Sequence, residues 1–119
     1  MIRVKPGVEF AVIGPAGYVI IEALKAASRK LGQDLTITSG TDGAHSGPTD
    51  PHHTGEAYDV RSHDFPAALR FVVLKTIMDA LDPARFYGFL EAPDTDNEHF
   101  HIQRRHGTTF TALDLLVTP

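Results

Sequence analysis

The chain has 119 residues, 42% of them hydrophobic, with 11 basic against 15 acidic side chains and a formal net charge of −4. A domain of this size buries roughly two thirds of its unfolded surface and needs no covalent staples. The mild acidity excludes a broad nucleic-acid face, and the absence of cysteine excludes disulfides, thiolate nucleophiles and Cys-ligated zinc. Val8 to Ile13 reads as a short strand ended by Gly14 and Pro15. Ile20, Ala23, Leu24, Ala27 and Leu31 recur at helical spacing and predict a helix from Ala16 to Leu31, with Gly32 as its stop. Leu35 and Ile37 alternate with threonines as a half-buried strand. Ser39 to Thr54, rich in Gly, Pro, Asp, Ser and His, reads as one long ordered loop, a length usually tied to function or disorder. Ala57 to Arg61 follows as a strand. Asp64 and Pro66 mark a helix start. That helix runs to Leu81 and is apolar almost all round, which predicts a core position. Arg85–Glu91 and His99–Arg104 read as two strands joined by the polar turn Ala92–Glu98, and Thr108 to Val117 suits either a strand or a short helix. The order predicts one mixed α+β domain over residues 1–119.

The chemistry-bearing residues fall into three clusters. The first is His52-His53-Thr54-Gly55-Glu56-Ala57-Tyr58-Asp59. A ligand at the end of a loop and another on the next strand converge only if the chain between them turns tightly. Gly55 permits that turn, and Ala57 leaves room beside the site. Strand alternation sends Ala57, Asp59 and Arg61 to one face, Tyr58 and Val60 to the other.

The second cluster is His99-Phe100-His101-Ile102, in which alternation puts both imidazoles on one face and both apolar side chains behind them. With the two strands adjacent, His52, Asp59 and His101 form a triad of nitrogen and oxygen ligands with a fourth position open, the arrangement of a catalytic zinc site. Imidazole outnumbers carboxylate in this set, which favours zinc over magnesium or calcium. The third cluster supplies acids and bases. A hairpin returning from Glu91 brings its carboxylate near the metal, where it can take a proton from water and pass it to a leaving amine. Glu98 is a reserve for that role, and His45 or His99 can steady an oxyanion or orient the carboxylate. Taken singly, each motif has a plainer reading: a polar strand face, solvated loop histidines, surface carboxylates, an Asp59–Arg61 pair. His53, His63 and His106 stay with that plainer reading, since none stands at ligand spacing.

The segment Leu35–Asp64, with His-x-x-Gly-x-Ala-x-Asp at His52–Asp59, resembles the Hedgehog/D-Ala-D-Ala peptidase group of zinc metallopeptidases. Together with DGAHS upstream and FYGFLE ahead of His99-x-His101, it is most similar to bacterial Hedgehog-like domains. The similarity runs from about Leu35 to Gln103. It implies an antiparallel sheet packed against helices and a zinc ion held by His52, Asp59 and His101. It also implies a catalytic Glu91 with His45 and His99 as accessory histidines. Asp50 stands where that group usually has Ser or Thr, and the acidic residues of the animal Hedgehog calcium site are mostly missing near Asp42.

The expected function is therefore hydrolysis of an amide bond in peptidoglycan stem peptides, as a carboxypeptidase or an endopeptidase. The alternative is a zinc-bearing Hedgehog-like binding module with little or no activity; a metal-free structural domain is a third reading. The first residues hold no apolar run fit for a signal peptide, and no stretch nears the ~20 apolar residues that span a bilayer. A soluble monomer acting at the bacterial cell wall is what the enzyme reading implies, with no nucleic-acid partner and no membrane span.

Overall fold

A computed structural model describes residues 1–42 and 50–110. The chain runs β1 (Ile2–Val4), α1 (Pro15–Leu31), β2 (Leu35–Ser39), β3 (Ala57–Arg61), a 3-10 turn (Ala67–Leu69), α2 (Arg70–Met78), β4 (Phe86–Glu91) and β5 (His99–Arg104). This is the expected α+β class. The five strands form one sheet in the order β1-β2-β3-β5-β4. The sheet is mixed rather than antiparallel, because β1 pairs with β2 in parallel while β2–β3, β3–β5 and β5–β4 are antiparallel. The parallel pair follows from the intervening helix, since a crossover connection returns the chain in the same direction.

α1 forms as its spacing predicts. Pro15 occupies its first turn, and Gly32 ends it in the left-handed conformation at φ 65°. Its buried stripe of Ala16, Ile20, Ala23, Leu24 and Ala27 packs on the sheet face made by Leu35, Ile37, Tyr58, Val60, Phe100 and Ile102. Each fully buried aliphatic or aromatic side chain here contributes about 1.5–3 kcal/mol. The core thus lies on one side of β3 and β5, and the residues alternating with it project from the other.

Two further expectations are corrected. Residues Val8–Ile13 form no strand: Glu9 and Ala11 donate their N–H groups to the Asp42 carboxylate and the Thr41 hydroxyl, so side chains stand in for a carbonyl ladder. The first strand is instead Ile2–Val4. The second helix is shorter than predicted and peripheral; it buries Val73 and Ile77 while Phe71 is 70% exposed and Val72 54%. An apolar pattern without periodicity does not say which side faces inward. Of the segment Thr108–Val117, residues 108–110 are irregular and the rest lies outside the described residues. No described helix is long and apolar enough to cross a membrane.

Candidate metal centre

The register of the sheet brings the site together. Asp59 on β3 stands directly opposite His101 on β5, and Arg61 opposite His99. On the other side of β5, Glu91 is opposite His99 and Phe89 opposite His101. Val60, Phe100 and Ile102 are fully buried beneath, so the strand cannot slip without sending the histidines into the core.

His52 comes from the turn that precedes β3. That turn is tied by His53 and Thr54 N–H donating to the Asp50 carbonyl, by Glu56 N–H donating to Pro51, and by His52 N–H donating to the Asp50 carboxylate at 2.9 Å. Gly55 adopts φ 70°, and a Cβ there would collide with the Val12 carbonyl. Gly17 on α1 lies so close to the Gly55 carbonyl that a Cβ would collide there too. The Tyr58 hydroxyl, buried in the core, donates to the same Gly55 carbonyl at 3.1 Å. Helix, core and loop thus fix one turn, and the turn presents His52 to the sheet.

Three ligand atoms meet. His52 Nε2 lies 3.4 Å from His101 Nδ1 and 3.3 Å from Asp59 Oδ1, and His101 Nδ1 lies 3.0 Å from Asp59 Oδ1. In a tetrahedral site the edge between two ligands is about 1.6 times the bond length, or about 3.3 Å for zinc bonds of about 2.0–2.1 Å. The observed triangle has that size. Its outer hydrogen bonds agree. The Gly40 carbonyl lies 3.1 Å from His52 Nδ1 and the Gln103 side-chain oxygen 2.7 Å from His101 Nε2. Both partners accept, so each histidine carries a proton on its outer nitrogen, and loss of the inner proton would leave a lone pair there for a metal. This is the outer-shell arrangement that orients metal-binding imidazoles. The donor set and its geometry fit zinc.

Electrostatics point the same way. Burial alone would raise the Asp59 carboxyl, but hydrogen bonds from His101 and His52 and the nearby imidazoles outweigh it and hold Asp59 well below the ordinary carboxylate range. Burial alone would lower His101, and the hydrogen bonds with Asp59 and Gln103 reverse that, leaving it raised. Each group thus favours the charged form of the other.

A second group overlaps the first. His99 Nε2 lies 3.5 Å from Asp59 Oδ2 and 3.4 Å from Glu91 Oε1. Glu91 Oε1 is also 3.8 Å from His101 Nδ1, and the side chain is 45% exposed on the open side of the cluster. The Phe89 ring packs against the His101 ring at 5.2 Å, giving that side an apolar wall. A cavity of about 170 Å³ adjoins His99, lined also by Lys5, Arg61, His63 and Asn97.

Of the predicted site residues, His52, Asp59, His99, His101 and Glu91 are brought together. Glu98 is not. Its carboxylate accepts from Ser62 Oγ at 2.7 Å, Arg70 at 2.9 Å and the Asp94 N–H at 2.9 Å. The Asp94 N–H, the Ser62 hydroxyl and the Arg70 guanidinium hold it below the usual glutamate value, and the side chain is buried. A buried carboxylate held by three donors fixes a turn and stands outside both groups of ligating atoms, so the reserve role for Glu98 is corrected. His45 lies outside the described residues. His53, His63 and His106 enter neither group of ligating atoms. Gln103 was missed by the sequence reasoning, although a signal existed: it continues the alternation His99-x-His101-x-Gln103 on the same face. The Gly40 and Asn97 carbonyls, being backbone, left no signal at all.

No protein-family model matches this chain, no curated protein matches it, and no solved structure does.

Proposed function

We propose that this chain is a zinc-dependent peptidase that hydrolyses an amide bond in peptidoglycan stem peptides, as a carboxypeptidase or an endopeptidase. One observation supports this reading above the others: two buried imidazoles and a carboxylate form a triangle with the edge length of a zinc tetrahedron, and a solvent-facing glutamate stands on its open side. His52, Asp59 and His101 would hold the ion. Bound zinc supplies Lewis acidity, polarising a carbonyl and making water a usable nucleophile near neutral pH.

The chain's own residues do the rest. Glu91 takes the proton of the attacking water at a carboxylate oxygen and delivers it to the leaving amine nitrogen. His99, 3.4 Å from Glu91 Oε1, orients that carboxylate when its Nε2 is protonated and then offers a donor to the charge that develops on the carbonyl oxygen. His45, which lies outside the described residues, is assigned the same accessory task from the sequence. Phe89 walls the site beside His101, so that a peptide approaches from the Glu91 side.

The test is digestion of purified cell-wall fragments by the zinc-loaded protein, followed by mass spectrometry. A new amine and a mass gain of one water identify the cut bond. Fragments that bind and stay intact establish the binding-module reading instead.

A further inference from the structure

We propose that Asp59, Glu91 and His99 form a second divalent-cation site, sharing Asp59 with the first, and that excess zinc bound there withdraws Glu91 from proton transfer. The proposal rests on the metal-centre reading above and extends it from a mononuclear site to one regulated by the metal itself.

The geometry is on the open side of β5. Asp59 divides its carboxylate: Oδ1 faces His52 and His101, while Oδ2 lies 3.5 Å from His99 Nε2. Glu91 Oε1 lies 3.4 Å from the same nitrogen. One ligand atom from each of Asp59, Glu91 and His99 lies within 4.8 Å of the other two. His99 is oriented in the manner of the first-site histidines. The Asn97 carbonyl, 2.6 Å from Nδ1, accepts that proton, so that in the neutral imidazole the Nε2 lone pair faces the two carboxylates. A bridging carboxylate with an oxygen for each ion, plus a terminal carboxylate and an imidazole, is a donor set of the kind that co-catalytic metal pairs use.

The charges rank the two sites. Asp59 and Glu91 carry two negative charges between them against four on two dications, so the second ion binds against the field of the first. Its carboxylate-rich set is opened to water by the exposure of Glu91, whereas both histidines of the first site are buried. Arg61, opposite His99 in the sheet, is directed to Asp64 at 3.9 Å. The second ion therefore binds at least about tenfold more weakly than the first. Once bound, it uses the carboxylate lone pairs with which Glu91 would accept a proton.

The experiment is a calorimetric titration of the metal-free protein with zinc chloride alone, repeated on His99→Ala and Glu91→Ala, with circular dichroism to verify folding. The expected result is two ions in the parent, separated by tenfold or more in affinity, and one tight ion in each folded variant. A single ion in the parent up to millimolar zinc overturns the proposal. So does a weak second ion that persists in both variants, which would be adventitious. Failure to cut peptidoglycan leaves this count untouched, whereas no binding at all removes the metal-centre reading and this site with it.

Discussion

Two carboxylates near β5 have opposite fates. Glu98, just before the strand, is surrounded by groups that carry hydrogens: the Ser62 hydroxyl, the Arg70 guanidinium and the Asp94 N–H. Asp59, opposite the middle of the strand, faces imidazole nitrogens whose outer protons are given away to Gly40, Gln103 and Asn97. Both carboxylates are held below their ordinary pKa values. What separates them is whether the partners are fixed donors or imidazoles that can give up their inner protons. The first arrangement is complete without a ligand; the second, once its imidazoles lose their inner protons, gathers several acceptors at one point and could hold a cation. A depressed carboxylate pKa alone does not tell structure from function, and the tautomers of its neighbours do.

The sharpest way to break this contrast is to remove a lone pair. His101→Ala should reduce zinc affinity on the order of 10³-fold or more, well beyond the 10–100-fold typical of outer-shell changes. Competition against a chromophoric chelator reads this directly, and zinc retained at full affinity would dissolve the distinction between the two carboxylates. Next comes Glu91→Gln, which keeps the shape and removes the base. The tight zinc ion should stay and peptide hydrolysis should fall by about 10²–10⁴-fold; undiminished turnover would take Glu91 out of the reaction. Gln103→Leu tests the outer shell. Without its acceptor, His101 loses the bond that fixes its tautomer, and zinc affinity should fall by about 10–100-fold with the fold intact.

Glu98→Gln probes the other side of the comparison. It should lower the thermal midpoint while leaving zinc affinity unchanged, because Arg70 is only 15% exposed and loses its counter-charge. The sign with pH follows. Glu98 is depressed in the fold, so its contribution is present above the unfolded glutamate value and is lost as acid protonates it; the variant should therefore be the less stable at neutral pH and converge with the parent in acid. A parallel pair of melting curves against pH would show otherwise as two lines that never meet.

The sequence made the two strands of the site legible for one physical reason. Period-two alternation in Ala57–Arg61 and His99–Arg104 separates core from site on each strand, and both segments form as read. α1 was legible from a buried stripe and a glycine stop. α2 was not, since Phe71, Val72, Val73 and Leu74 in succession carry no periodicity, and packing alone chose Val73 and Ile77. The N-terminal strand of three residues is too short to announce itself. Glu98 was misread because its partners, Ser62 and Arg70, lie 36 and 28 residues away. Spacing can align ligands that share a strand, but it cannot show which distant donors will claim a carboxylate.

The smallest expected effect is the response of the metal-free site to pH. His101 is raised in the fold, so its pairing with Asp59 stabilises fully below the ordinary histidine value of 6.5 and is lost as pH rises through the folded value. Asp59 is depressed, so its share is present above its ordinary value of 3.8 and is lost as pH falls. The two overlap between about 3.8 and 6.5, and the chelated protein should melt highest in that window, by a few degrees at most. Zinc inverts the upper edge. It needs the lone pair that the proton occupies, so the stabilisation given by zinc should grow as pH rises from the window toward neutrality and beyond. Melting curves with chelator and with zinc across this range should therefore diverge upward. If they run parallel, His101 does not exchange its proton for the metal, and His101 is not a ligand.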